Sequence, residues 1–168
     1  MEEPNHTLES APKLNGLVET ALFVENLPQA SDFYEQVLGL SKITDSDRGC
    51  VFRLADQRYL LLVTHEGART PNETPSGSIL PPCALPQHDG RGPGHIAFGV
   101  SSAVLDSWRA RLEKHHVEIL SEVTWESGAR SLYFRDPDGH MIELATPGIW
   151  EAPRSDARCE TLLKQLGA

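Results

Sequence analysis

Apolar positions fall into two stretches that repeat one order of patterns, Asn15 to Thr64 and Gly94 to Pro147. In each, a strand-like run is followed by a helix-spaced segment and then by further alternating runs, which is how a chain built from two copies of one supersecondary unit reads. Leu17-Val18-Glu19-Thr20-Ala21-Leu22-Phe23-Val24 opens the first copy and Gly94-His95-Ile96-Ala97-Phe98-Gly99-Val100 the second. Both have β-like composition and stop at turn residues. A helix is predicted after each. The first has Asn26 as N-cap, Pro28 in its first turn, Ala30, Phe33, Tyr34, Val37 and Leu38 at helical spacing, and Gly39 as its stop. The second begins near Ser101 or Ser102 and carries Val104, Leu105, Trp108 and Leu112 on one face.

The copies close with strands. In the second they are Val117 to Val123, Arg130 to Arg135 and His140 to Ala145, the last two joined by Asp136-Pro137-Asp138-Gly139. In the first, Val51 to Leu54 and Tyr59 to Val63 flank a turn without glycine. The expected fold class is therefore α+β: two βαβββ modules forming a cupped, barrel-like mixed sheet with helices packed outside. The domain spans 14–149. It is preceded by a flexible segment, 1–13, and followed by a tail, 150–168, whose Leu162, Leu163 and Leu166 suit a short amphipathic helix. The Pro-, Gly- and Ser-rich stretch 65–93 reads as a long connection of the kind that makes lids or binding loops.

Alternation sorts the strand residues onto two faces. Ile96, Phe98, Leu132, Phe134, Ile142 and Leu144 are expected to pack under the helices. The opposite face carries His95, Ala97 and Gly99, then Ser131, Tyr133 and Arg135, then Met141, Glu143 and Ala145, a mixture suited to a cavity wall. In the first copy Glu19, Ala21 and Phe23 take that side. Counting from the helix caps makes Glu19 equivalent to His95, and counting from the chain reversals makes Leu61 equivalent to Glu143. Three of four symmetry-related positions thus hold a metal-capable side chain. A mid-strand carboxylate among apolar neighbours needs compensation, since burying an unpaired charge costs several kcal/mol or more. A divalent cation shared by Glu19, His95 and Glu143 supplies it. Taken singly, each has a simpler reading: His95 as a hydrogen-bonded core histidine, Glu143 as the partner of Arg130 or Arg135, Glu19 as solvent-exposed.

The 168 residues suit one domain, and the formal charge of −9 argues against a nucleic-acid partner, which needs a basic footprint. Cys50, Cys83 and Cys159 are odd in number and lack ligand spacing, so reduced thiols in a cytoplasmic protein are expected. The polar, acidic N-terminus does not read as a signal peptide, and no apolar run approaches a membrane span.

Gly94-His95-Ile96-Ala97-Phe98, the segment Tyr133 to Leu144 and the helix Asp32 to Leu40 together resemble the vicinal-oxygen-chelate superfamily, the glyoxalase/bleomycin-resistance/extradiol-dioxygenase fold, over about Leu14 to Ile149. The resemblance implies that His95 and Glu143 are metal ligands. Glu19 stands where many members have histidine and some glyoxalases have glutamine; Leu61 stands where four-ligand glyoxalases place glutamate. One imidazole and two carboxylates form a hard site suited to Mn²⁺, Fe²⁺, Ni²⁺ or Zn²⁺, unlike the two-His-one-carboxylate triad of the dioxygenases. Members usually form homodimers, so Glu19 is expected either from the same chain or from the partner. The leading expectation is a metal-dependent lyase or isomerase acting on a small molecule that chelates through vicinal oxygens. Glu143 or Glu19 would move a proton, Tyr133 would point at the metal, and Arg130, Arg135 and Phe23 would contact substrate. The alternatives are a non-catalytic drug- or metabolite-binding protein, a dioxygenase-like enzyme, and a thiol transferase of the same superfamily.

Overall fold

The computed structural model describes residues 11–69 and 90–151. Most of the segments 1–13, 65–93 and 150–168 set apart above lies outside those residues. The first module contains β1 (Glu19–Val24), α1 (Leu27–Asp32), a π-turn continuation (Phe33–Val37), β2 (Ser41–Asp45), β3 (Gly49–Arg53) and β4 (Tyr59–Thr64). A short helix α2 (His65–Arg69) follows. The second module contains β5 (His95–Gly99), α3 (Leu105–Lys114), β6 (Ile119–Thr124), β7 (Arg130–Arg135) and β8 (Met141–Ala145).

Each module makes its own four-stranded mixed sheet, in the order β1-β4-β3-β2 and β5-β8-β7-β6. The first strand runs parallel to the last, and the other pairs are antiparallel. The two-module α+β reading therefore holds, with two separately hydrogen-bonded sheets among the described residues. Strand β2 escaped the sequence reading. Its one apolar residue, Ile43, is 41 % exposed, and Lys42 is half-buried by pairing with Asp45 at 2.9 Å. An edge strand held by charges carries no apolar alternation to read.

The helix ends follow their local chemistry. Asn26 Oδ1 accepts the Gln29 amide at 3.2 Å, and Gly39, at φ +68°, turns the chain out of the helix. The helix-side faces of both sheets enter one continuous core: Leu22, Val24, Phe52, Leu60 and Leu62 from the first, Leu132, Phe134, Ile142 and Leu144 from the second. Ala30 and Tyr34 fill it from the first helix, Leu105 and Leu112 from α3.

Buried polar contacts lock the modules in register. Tyr34 donates its hydroxyl to Asp136 Oδ2 at 2.9 Å across 102 residues of sequence. The amides of Asp138 and His140 supply two further donors to Asp136 Oδ1. His140, 3 % exposed, accepts the Gly94 amide on Nδ1 at 2.8 Å, so its proton lies on Nε2 and is donated to the Phe23 carbonyl at 2.8 Å. Tyr34→Phe strands one buried acceptor and is expected to lower unfolding stability in urea by roughly 1–3 kcal/mol. An unchanged midpoint and slope would remove this contact from the account. Burial raises the Asp136 carboxyl above its usual range despite the Tyr34 donor. The folded chain then holds this proton more tightly than the unfolded one, so its contribution to stability falls as pH rises from the ordinary carboxylate pKa through the raised one. Among the described residues no helix is long and apolar enough to cross a membrane.

Candidate metal centre

β5 and β8 pair in parallel with His95 opposite Met141 and Ala97 opposite Glu143. The first module repeats this register, Glu19 opposite Tyr59 and Ala21 opposite Leu61. The backbone thus makes Glu19 equivalent to His95 and Leu61 equivalent to Glu143, as the residue counting implies. Alternation carries His95, Glu143, Ser131 and Tyr133 to the sheet face turned away from the helices, where His95, Ala97 and Gly99 are exposed in the single chain.

Glu143 is the unusual group on that face. It is only 4 % exposed, yet it sits in mid-strand with no lysine or arginine against it among its described contacts. Its Oε1 accepts hydroxyl donors from Ser131 at 2.6 Å and Tyr133 at 2.9 Å. Its Oε2 stands 3.2 Å from His95 Nε2, and the imidazole is 53 % exposed. One carboxylate oxygen is therefore saturated by neutral donors, while the other shares an open approach with a ring nitrogen. That donor set fits a divalent cation, because both atoms are lone-pair donors and both face the same space. Burial and the bond to Glu143 raise the Tyr133 phenol above its usual pKa, which keeps it a proton donor rather than a phenolate base.

The other expected site residues are distributed differently. Glu19, exposed at the start of β1, lines with His95 a hollow of about 830 Å³ to which β1 and β5, both edge strands among the described residues, contribute. Among the described residues, however, no three His, Cys, Asp or Glu side chains of one chain stand close enough to hold an ion. The structure brings His95 and Glu143 together within the chain and leaves Glu19 apart. Arg130 lies on the helix side, paired with Glu122 on β6 and with Asp106 on α3 at 3.2 Å. Arg135, exposed, donates to the Gly139 carbonyl at 2.5 Å. Phe23 stacks on His65, ring centres 5.3 Å apart, and Gly90 passes so close that a Cβ there would lie 2.5 Å from the ring.

Two contributors were missed in the sequence. Ser131 has the right parity, two residues before Tyr133, but a serine in a strand carries no signal of its own. Trp125, whose indole N–H reaches Ser131 Oγ at 2.9 Å, lies outside any strand and has no periodicity to mark it.

The sequence model of the Glyoxalase/Bleomycin resistance protein/Dioxygenase superfamily matches residues 16–144. A metallothiol transferase FosB from Staphylococcus haemolyticus is 25 % identical over 137 residues, covering 81 % of this chain and 86 % of that protein. FosB from Shouchella clausii is 41 % identical over a shorter 59 residues, 34 % of this chain and 40 % of its own. Among solved structures, lactoylglutathione lyase from Agrobacterium tumefaciens superposes with a TM-score of 0.72 at 25 % identity, over 84 % of this chain and all (100 %) of that one. A variant of the fosfomycin resistance protein FosX from Listeria monocytogenes, crystallised with Mn(II) and a dihydroxypropylphosphonic acid, shares the fold at a TM-score of 0.56 and 22 % identity, over 79 % and 90 % of the two chains. With more than half its length matched by the family model, and with the repeated βαβββ topology, this chain belongs to the Glyoxalase/Bleomycin resistance protein/Dioxygenase superfamily, the vicinal-oxygen-chelate proteins.

Proposed function

We propose that this protein is a metal-dependent enzyme acting on a small oxygen-bearing substrate, and that thiol transfer is the reaction class its residues favour. The observation that carries the reading is the pairing of His95 Nε2 with Glu143 Oε2 at 3.2 Å on an open sheet face, with Glu143 Oε1 already saturated. A divalent cation held there supplies Lewis-acid polarisation of a bound substrate oxygen. Mn²⁺, Fe²⁺, Ni²⁺ and Zn²⁺ all accept this mixture of imidazole and carboxylate.

The choice between reaction classes rests on Leu61. Moving a proton from carbon, as an isomerase does, requires a base beside the ion. The fourth symmetry-related position offers leucine, Glu143 is occupied by two donors, and Glu19 would itself be bound to the ion. Transfer of a thiol makes no such demand. The sulfur attacks a carbon of the substrate, the carbon–oxygen bond breaks, and the departing oxygen ends as a hydroxyl after taking up the proton the thiol lost. In this scheme Tyr133, on the same face as His95, borders the space where the substrate oxygens would lie. The two sequence relatives named above, both metallothiol transferases, support the same class. A lyase or isomerase is the second reading, favoured by the likeness to lactoylglutathione lyase, and Glu19 would then carry the proton. The test is to supply Mn²⁺-loaded protein with a panel of small thiols and fosfomycin, and separately with lactoylglutathione. A thioether whose mass is the sum of thiol and fosfomycin is expected. Turnover of lactoylglutathione with no thioether would favour the second reading.

The proposal includes a homodimer. Leu17 and Val18, 67 % and 64 % exposed, lead into Glu19 on β1, an edge strand among the described residues, an arrangement that asks for a covering surface. With two-fold pairing, Glu19 of the partner subunit would join His95 and Glu143 as a third ligand.

A further inference from the structure

Trp125 ends the β6 side of the β6–β7 turn, and its indole nitrogen is a donor only. It donates to Ser131 Oγ at 2.9 Å, and Ser131, wholly buried, stands 2.6 Å from Glu143 Oε1. The direction of both bonds is thereby fixed: the indole takes the hydroxyl's acceptor side, so the serine proton is left for the carboxylate. Tyr133 adds a second hydroxyl to the same oxygen at 2.9 Å. Turning the Glu143 carboxylate part-way about its last torsion would lose these two bonds and its alignment with His95 together, so the hydroxyls hold the plane of the group. We propose that Trp125 and Ser131 are positioning residues that make Glu143 a one-oxygen ligand, spending Oε1 on hydroxyl donors so that only Oε2 reaches a cation. The inference rests on the reading of Glu143 as a metal ligand.

Such an arrangement has a chemical use. A carboxylate that chelates through both oxygens fills two coordination positions, whereas one held by Ser131 and Tyr133 fills one and leaves the other for a substrate oxygen. The relay also gives a role to the part-buried Trp125 N–H and the buried Ser131 hydroxyl, which is held between the indole and the Glu143 carboxylate. Groups that orient a ligand from behind typically change metal affinity by about 10–100-fold when removed.

The test uses the full-length chain with Mn²⁺ as the probe. Affinity is measured by chelator competition, and the carboxylate stretches of the Mn²⁺-loaded protein by infrared difference spectroscopy, with thermal unfolding recorded alongside. Ser131→Ala is expected to weaken Mn²⁺ binding by about 10–100-fold and to shift the infrared pattern from one-oxygen toward two-oxygen coordination. Trp125→Phe, which keeps the ring and removes only the N–H, is expected to move both readouts the same way by a smaller amount. It carries the test if the serine variant does not fold. Native affinity and an unchanged infrared pattern in the folded variants would overturn the relay while leaving Glu143 a ligand. A wild-type chain that binds no Mn²⁺ would overturn both.

Discussion

Glu143→Gln is expected to lower divalent-cation affinity by more than about 100-fold, beyond the roughly 10–100-fold range of outer-shell changes. The substitution is chosen because it isolates the charge. Glutamine keeps the volume, and its carbonyl oxygen still accepts from Ser131 and Tyr133, so both hydroxyls remain paired. The amide nitrogen then lies where Oε2 was, toward His95 Nε2, and a nitrogen carrying two protons repels a cation instead of binding it. Stability should change little, because a group that is 4 % exposed loses its charge but not its hydrogen bonds. Isothermal titration with Mn²⁺, beside a urea unfolding curve, measures the two effects separately. Equal affinity in the variant and the parent would show that Glu143 is a structural acid.

The second large effect separates one chain from two. Glu19→Ala and Glu143→Ala are each expected to lose tight metal binding when prepared alone. Mixed in equal amounts and allowed to exchange subunits, they should recover it in about one quarter of all sites, because half the dimers are mixed and each mixed dimer has one site free of either change. Should Glu19 serve the site of its own chain, every site in every dimer carries a lesion and none recovers. The absence of a three-residue cluster within the described part of a single chain favours recovery. So does the exposed apolar pair Leu17 and Val18 beside Glu19.

Much of this arrangement was legible in the sequence, for definite reasons. The helix starts were readable because Asn26 and Ser101 do what short polar side chains do, accepting amides of the first turn. The strand faces were readable because a period of two leaves a buried Leu132 and Phe134 beside a half-exposed Tyr133. The equivalence of Glu19 with His95 survived because the two modules share one backbone register. Other features left no local trace. β2 is held by Lys42, Asp45 and Glu35 rather than by apolar contacts. Arg130 carries a charge suited to substrate, yet its parity places it under α3 with Asp106. His140 reads as one more histidine beside a turn, and its role depends on Gly94 and Phe23 coming to either side of its ring. A hydrogen bond across 117 residues is a property of the fold, invisible to spacing along the chain. Trp125 and Ser131 matter for the same reason, through Glu143 rather than through any pattern of their own.

Anomalous diffraction from crystals of the intact protein grown with Mn²⁺ addresses the cation itself. One peak per chain is expected, within bonding distance of both His95 Nε2 and Glu143 Oε2, with Glu19 of the partner subunit as the third protein ligand. Crystals in which this position shows no anomalous density, while Glu143 and His95 bond only to each other, would contradict the account.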